Sequence, residues 1–225
     1  MTSGTRPLAV FDMDGVLVEH RSSWRIIHER LGTSNEDSFR MYMTRGIDDE
    51  EFMARDVALW RGVLERANVS DIESILSDIA PMTGFMEAME MLRVEGIAPV
   101  ILSGGIDILA NRLGDLGGFH QVHANGLKTD RDGNLVGGGI LRVPLRDKGS
   151  VLRMIMGEGT FHPVSAVGDS LVDVPMFEIA DISIAFRPDS EEVSRRADHV
   201  VLEADLRKVA RIIIDGSADI TRSLE

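Results

Sequence analysis

The sequence has no cysteine, which rules out a disulfide framework and a thiol nucleophile and agrees with a reducing compartment. Positive charge is short: 24 Lys and Arg face 37 Asp and Glu, for a formal net charge of -13. General binding to nucleic acid or to an anionic membrane needs a basic face, so neither is expected as a partner. An anionic substrate would need a local positive centre such as a metal ion. No apolar run approaches the roughly 20 residues of a membrane-spanning helix, and residues 1–7 lack the apolar centre of a signal peptide. Low-complexity tracts and internal repeats are missing too. The expectation is a soluble, cytoplasmic, globular protein, its oligomeric state left open.

The 225 residues do hold one stretch in which buried-strand chemistry meets charge. Leu8-Ala9-Val10-Phe11 is a run of the kind buried on both faces of a parallel sheet, and it stops at Asp12. Asp14 follows, and Gly15 permits a sharp turn. Two carboxylates at the end of a buried strand lose hydration and repel each other, a cost that stands unless a cation or phosphoryl chemistry offsets it.

Two further apolar runs end similarly, in Leu102-Ser103-Gly104-Gly105 and Val167-Gly168-Asp169-Ser170. In an open parallel sheet, ligands bind beyond the carboxyl ends of the strands, so these ends are expected to meet. Apolar runs predict strands over 98–102, 164–167, 182–186 and 199–202. Leu206, Val209, Ile212 and Ile213 predict a closing helix, and the turn residues at 130–134 predict a β-hairpin between 122 and 143. Residues 20–80 differ. Trp24, Ile27 and Leu31, then Met53, Val57, Trp60 and Leu64, then Ile72, Ile75, Leu76 and Ile79 form helical stripes without a strand signal, and Ser70 with Glu73 reads as a capping box. The fold expected is α/β, a doubly wound parallel sheet of Rossmann-like type formed by 1–18 and 82–225. A small helical cap is inserted over 19–81, and a β-hairpin is added.

Phosphoryl transfer needs a nucleophile, an acid, a counter-charge and donors for the phosphate oxygens. Asp12 can attack phosphorus, while Asp14 can protonate the leaving oxygen and then act as base on water. Asp169 and Asp173 with Asp12 suit a hard cation such as Mg²⁺. Ser103 and the amides of Gly104 and Gly105, at an expected helix start, can hold phosphate oxygens, and Lys148 supplies positive charge beside Asp12.

DxDGV at 12–16, SGG at 103–105, DKG at 147–149 and GDSLVD at 168–173 resemble, in order, the four motifs of the haloacid dehalogenase superfamily. A helical block between the first two motifs and a hairpin before the lysine is most similar to the phosphoserine phosphatase-like branch. The resemblance implies Asp12 as nucleophile and Asp14 as acid and base. It also implies Mg²⁺ on Asp12, the Asp14 carbonyl and Asp169 with Asp173 in support, and phosphate on Ser103, Gly104 and Lys148. Dehalogenase members lack the second aspartate, so Asp14 favours a phosphatase.

The departures lie where substrate is chosen. A cap glutamate that resembles an ammonium clamp and a cap arginine that resembles a carboxylate clamp fall, by spacing, on Arg21 and Asp56, each of the opposite charge. Glu19 and Arg55 stand close by and restore the clamps only through slips in opposite senses. Val172 stands where asparagine is usual. The expectation is a Mg²⁺-dependent phosphomonoesterase acting through an aspartyl-phosphate on a small organic phosphate other than phosphoserine, with negative charge near Arg21. The alternatives are a phosphotransferase or mutase, phosphoserine phosphatase proper, and a non-catalytic phosphate-binding protein. Met41 and Met43 are expected to wall an adaptable pocket.

Overall fold

The computed structural model describes residues 5–158 and 161–223. Strand β1 (Arg6–Phe11) is followed by four helices, α1 (Ser23–Leu31), α2 (Glu36–Met43), α3 (Asp49–Val63) and α4 (Val69–Leu76). Next come α5 (Phe85–Val94), β2 (Ala98–Ile106), α6 (Asp107–Gly117) and the hairpin of β3 (Gln121–Thr129) and β4 (Leu135–Ile140). The rest is α7 (Lys148–Glu158), β5 (Phe161–Gly168), α8 (Val174–Phe177), β6 (Ile182–Phe186), α9 (Glu191–Arg196), β7 (His199–Val201) and α10 (Leu206–Ser223).

The sheet runs β4-β3-β2-β1-β5-β6-β7, and every pairing except β3 with β4 is parallel. From β1 the chain winds outward one way through β2 and β3, and later the other way through β5, β6 and β7. The end of β1 is therefore the switch point of a doubly wound sheet, where a crevice opens. Period-two alternation divides β1 between two cores: Ala9 and Phe11 join the layer with α5, α6 and α10, and Leu8 and Val10 join the layer with α7, α8 and α9. Both faces are covered, and each large apolar side chain buried there contributes about 1.5–3 kcal/mol. The reactive strand ends thus rise from a rigid base.

The helical segment packs around Trp60, which is fully buried and stacked on Trp24 with ring centroids 5.3 Å apart. Helix α2 escaped the sequence reading because its apolar residues do not form one stripe: Phe39, Met41 and Met43 are exposed and only Ser38 and Tyr42 are buried. The capping box lies two residues earlier than expected, on Asn68 and Asp71, because α4 begins at Val69 and Ser70 is already inside it. The chain enters and leaves this segment side by side. Val18 bridges Pro81, and the Met82 amide donates to the Leu17 carbonyl at 2.7 Å. Its far end is joined to the hairpin by Val69 N–H to Gly133 (2.9 Å) and Leu135 N–H to Ala67 (2.7 Å). No helix among the described residues is long and apolar enough to cross a membrane.

Candidate active site

Three neighbouring strands deliver the polar groups: β1 carries Asp12 and Asp14, β2 carries Ser103-Gly104-Gly105, and β5 leads into Asp169 and Asp173. Lys148, at the start of α7, is buried between two of these carboxylates. Its Nζ is 2.9 Å from Asp12 Oδ1 and 2.6 Å from Asp173 Oδ1. Asp173 Oδ2 accepts from the amides of Asp169 (2.9 Å) and Ser170 (3.0 Å) and from the Ser170 hydroxyl (3.1 Å). Both Asp173 oxygens are therefore committed to holding the lysine and the turn after β5.

Gly15 shows why the first turn needs glycine. Its φ is +80°, and a Cβ there would collide with the Asp169 carboxylate. Gly105 is similar in kind, since a Cβ would lie 2.6 Å from Asp14 Oδ2 and 2.7 Å from Ser23 Oγ. The SGG stretch does not begin a helix as expected. It ends β2, with α6 starting only at Asp107, and the Gly105 amide donates to Ser103 Oγ at 3.1 Å.

Electrostatics follow from burial. Burial raises the Asp12 carboxyl above its ordinary value while the Lys148 ammonium pulls the other way. Burial and the neighbouring Asp12 push Asp14 up to about 7. Burial, then Asp12 and Asp173, push Asp169 up to about 8, against the opposing charge of Arg21. Burial works against the Lys148 ammonium, yet Asp12 and Asp173 outweigh it and its proton is held more tightly than usual. One carboxylate oxygen from each of Asp12, Asp169 and Asp173 falls within 4.8 Å of the others. This buried oxygen set fits a hard divalent cation, whose charge would return the raised carboxylates toward their ionised forms. The Asp14 carboxylate is outside the triad, turned toward the helices.

Two contributors were not legible in the sequence. Ser23 gives both its amide and its hydroxyl to Asp14 Oδ2, each at 2.9 Å, and its Oγ accepts from the Ile106 amide at 3.0 Å. Asp14 Oδ1 is left buried without a hydrogen-bond partner. Asn125, from β3, donates to the carbonyls of Gly104 (3.1 Å) and Val143 (3.0 Å) and accepts from the amides of Arg142 (2.8 Å) and Val143 (2.9 Å). It fixes the end of β2 at Gly104, and no local signal marks it.

The residues expected to choose substrate separate. Arg21, its side chain about half exposed, pairs with Asp169 Oδ2 at 2.7 Å and donates to the Arg187 carbonyl at 2.9 Å. Arg55 is turned to Glu51 (2.8 Å) and the Met41 sulfur (3.2 Å) on the outside of α3. Asp56 is buried and lines a cavity that also touches Gly104 and Asn125. The methionine in that wall is Met53; Met41 and Met43 are exposed. His28 is buried beside Asp56. Its Nδ1 is 2.7 Å from Thr33 Oγ1 and 3.3 Å from the Trp60 indole nitrogen, and its Nε2 is 3.4 Å from Asp56 Oδ2.

A crevice of acidic strand ends around one buried lysine, on a doubly wound sheet, is the architecture of a phosphoryl-handling hydrolase. Family comparison agrees: the model for haloacid dehalogenase-like hydrolases matches residues 9–178, and a second model of the same description matches 147–213. The chain belongs to the haloacid dehalogenase-like hydrolases. It is 29% identical to a phosphoserine phosphatase of Methanocaldococcus jannaschii, over 92% of this chain and 98% of the relative. It is 31% identical to one of Idiomarina loihiensis over 80% and 81%. Among solved structures, a phospho-aspartyl intermediate analogue of phosphoserine phosphatase superposes with a TM-score of 0.77 at 25% identity, covering 92% of this chain and 99% of that one. Within the family the chain is a phosphatase of the phosphoserine phosphatase-like kind.

Proposed function

We propose that the protein hydrolyses a small organic phosphomonoester with Asp12 as nucleophile. What supports the reading above all is Lys148, buried between Asp12 and Asp173 at the switch point of the sheet. An Asp12 carboxylate oxygen attacks phosphorus, the phosphorus–oxygen ester bond breaks, and the departing alkoxide takes the proton of Asp14 to leave as the alcohol. Asp14, now a carboxylate, takes a proton from water as the water oxygen attacks phosphorus. The bond from phosphorus to Asp12 then breaks, releasing inorganic phosphate and restoring the Asp12 carboxylate.

Asp14 suits both halves. Burial favours its protonated form, and Ser23 occupies Oδ2, which leaves the unpartnered Oδ1 to carry the proton toward the leaving oxygen. Ser103, the Gly104 backbone and Lys148 bind the phosphoryl oxygens. Asp12, the Asp14 carbonyl and Asp169 would hold Mg²⁺ with Asp173 in support; when bound, it neutralises the phosphate and the carboxylates facing it. Residues 19–81 act as a cap over a core of 1–18 and 82–225, excluding bulk water during turnover.

The test is phosphate release from a panel of small phosphomonoesters, with Mg²⁺ and with chelator. Asp12→Asn removes the attacking oxyanion at nearly constant volume and is expected to lower release by about 10³-fold or more. Release that survives Asp12→Asn assigns the nucleophile elsewhere, and transfer to an added alcohol in place of water would make the enzyme a phosphotransferase.

A further inference from the structure

Between the helical segment and the ends of β2 and β3 lies an enclosed cavity of about 30 Å³. Trp24, Phe52, Met53 and Leu145 give it apolar walls, while Asp49 and Asp56 give it acidity. No Lys, Arg or His side chain lines it among the described residues. The two carboxylates differ in their partners. Asp49 Oδ1 accepts from the Tyr42 hydroxyl at 3.0 Å and from the Leu145 amide at 3.2 Å. Asp56 Oδ2 accepts from Asn35 Nδ2 at 2.9 Å, but Asp56 Oδ1, on a residue only 1% exposed, has no hydrogen-bond partner. A buried carboxylate oxygen left without a donor is destabilising, and a donor brought by a ligand would remove that cost.

We infer that Asp56 selects substrate, accepting a hydrogen bond from the ammonium group of an amino-alcohol phosphate whose phosphoryl group lies at Asp12. The inference rests on the phosphomonoesterase reading and specifies its substrate class. The cavity has room for one water-sized group, which an ammonium fills. Apolar walls lower the local dielectric, so a cation against Asp56 is held more strongly than it would be in water. The same walls argue against a second acidic group on the substrate, because a carboxylate there would face Asp49 and Asp56 without a counter-charge. Arg55 does not supply one, being paired outward with Glu51. The substrate is thus an ester of a simple amino alcohol, in preference to one of an amino acid.

Calorimetry with non-hydrolysable phosphonates on the wild-type protein in Mg²⁺ tests this without requiring turnover. Aminoethylphosphonate is expected to bind about tenfold or more tightly than both propylphosphonate and hydroxyethylphosphonate, as a hydrogen bond to a buried charge implies. The phosphonate analogue of phosphoserine, which adds a carboxylate, is expected to bind more weakly than aminoethylphosphonate. Equal binding of the first three, or tighter binding of the fourth, overturns the inference on wild-type protein alone. In Asp56→Asn, checked for folding by its melting temperature, the amine preference is expected to vanish, and its persistence in a folded variant equally overturns it. Phosphate release from aminoethyl phosphate is scored separately. Amine preference without release defeats the phosphatase reading, whereas release without amine preference defeats this one.

Discussion

The strand-end cluster and the cavity under the helices both bury carboxylates, and they satisfy them differently. At the strand ends Asp173 has a lysine and three further donors on its two oxygens. In the cavity Asp56 has Asn35 Nδ2 and, at 3.4 Å, His28 Nε2 on Oδ2, and no hydrogen-bond partner on Oδ1. At Asp173 the arrangement is closed by Lys148 and the turn after β5, so that part of the cluster is fixed before any substrate arrives, while Asp14 Oδ1 keeps an open valence beside it. The second is left incomplete by the protein. A fully bonded carboxylate holds the lysine in place, whereas an oxygen left without a donor, as on Asp14 and Asp56, is free to meet a ligand.

The sharpest way to break this contrast is Lys148→Met, which leaves Asp12 and Asp173 without their shared cation. Removing one partner from a buried charge group costs about 3–5 kcal/mol, and activity should disappear with it. Denaturant unfolding in chelator reads the loss, and a stability within error of wild type would mean the cluster is not held by charge. Asn125→Ala comes next. It removes donors and acceptors from four backbone groups around Gly104 and Val143 and should cost about 3 kcal/mol by the same measurement, with a fall in turnover because the end of β2 relaxes.

A smaller effect is the dependence of stability on pH. Asp14 and Asp169 hold protons near 7 and 8 in the folded chain, against an ordinary value of 3.8. Their proton binding favours the fold fully below about pH 4, and this contribution is lost as pH rises through 7 and 8. In chelator the melting temperature should therefore fall between about pH 5 and 8. Mg²⁺ should flatten that fall by favouring the ionised carboxylates. Equal slopes with and without Mg²⁺ would show that no cation is held there. Arg55→Ala should do least, since the Arg55–Glu51 pair is solvent-exposed. A selective loss of activity toward carboxylate-bearing esters would restore Arg55 as a clamp and sink the division drawn here.

Much of the sheet was legible because buried parallel strands leave continuous apolar runs. The sites beyond them were legible because polar residues next to glycine end those runs, at Asp12, Ser103 and Asp169. Long-range completion was not. Nothing around Ser23 announces that its hydroxyl will meet Asp14, and nothing around Asn125 announces that it will tie Gly104 to Val143, because those partners are set by tertiary packing. Spacing from the first motif pointed to Arg21 as a place for substrate charge, but it could not show that this arginine also reaches Asp169. Counting from the first motif gives a residue's position but not the direction of a long side chain.

The joins between the helical segment and the core differ in kind. At 17–18 with 81–82, and at 67–69 with 133–135, backbone groups pair with backbone groups. Elsewhere the join depends on single side chains: Asp49 accepts from the Leu145 amide, and the Arg146 guanidinium lies 4.2 Å from the centre of the Tyr42 ring. A segment held by two such seams, if it opens, would turn about the line between them. The edge to part would be the one carrying Tyr42 and Asp49, which would place the threshold for an entering ester beside the acidic cavity. Amide exchange at Leu145 should then outpace exchange at Leu135, because Leu145 is on the swinging edge and Leu135 is on the hinge line.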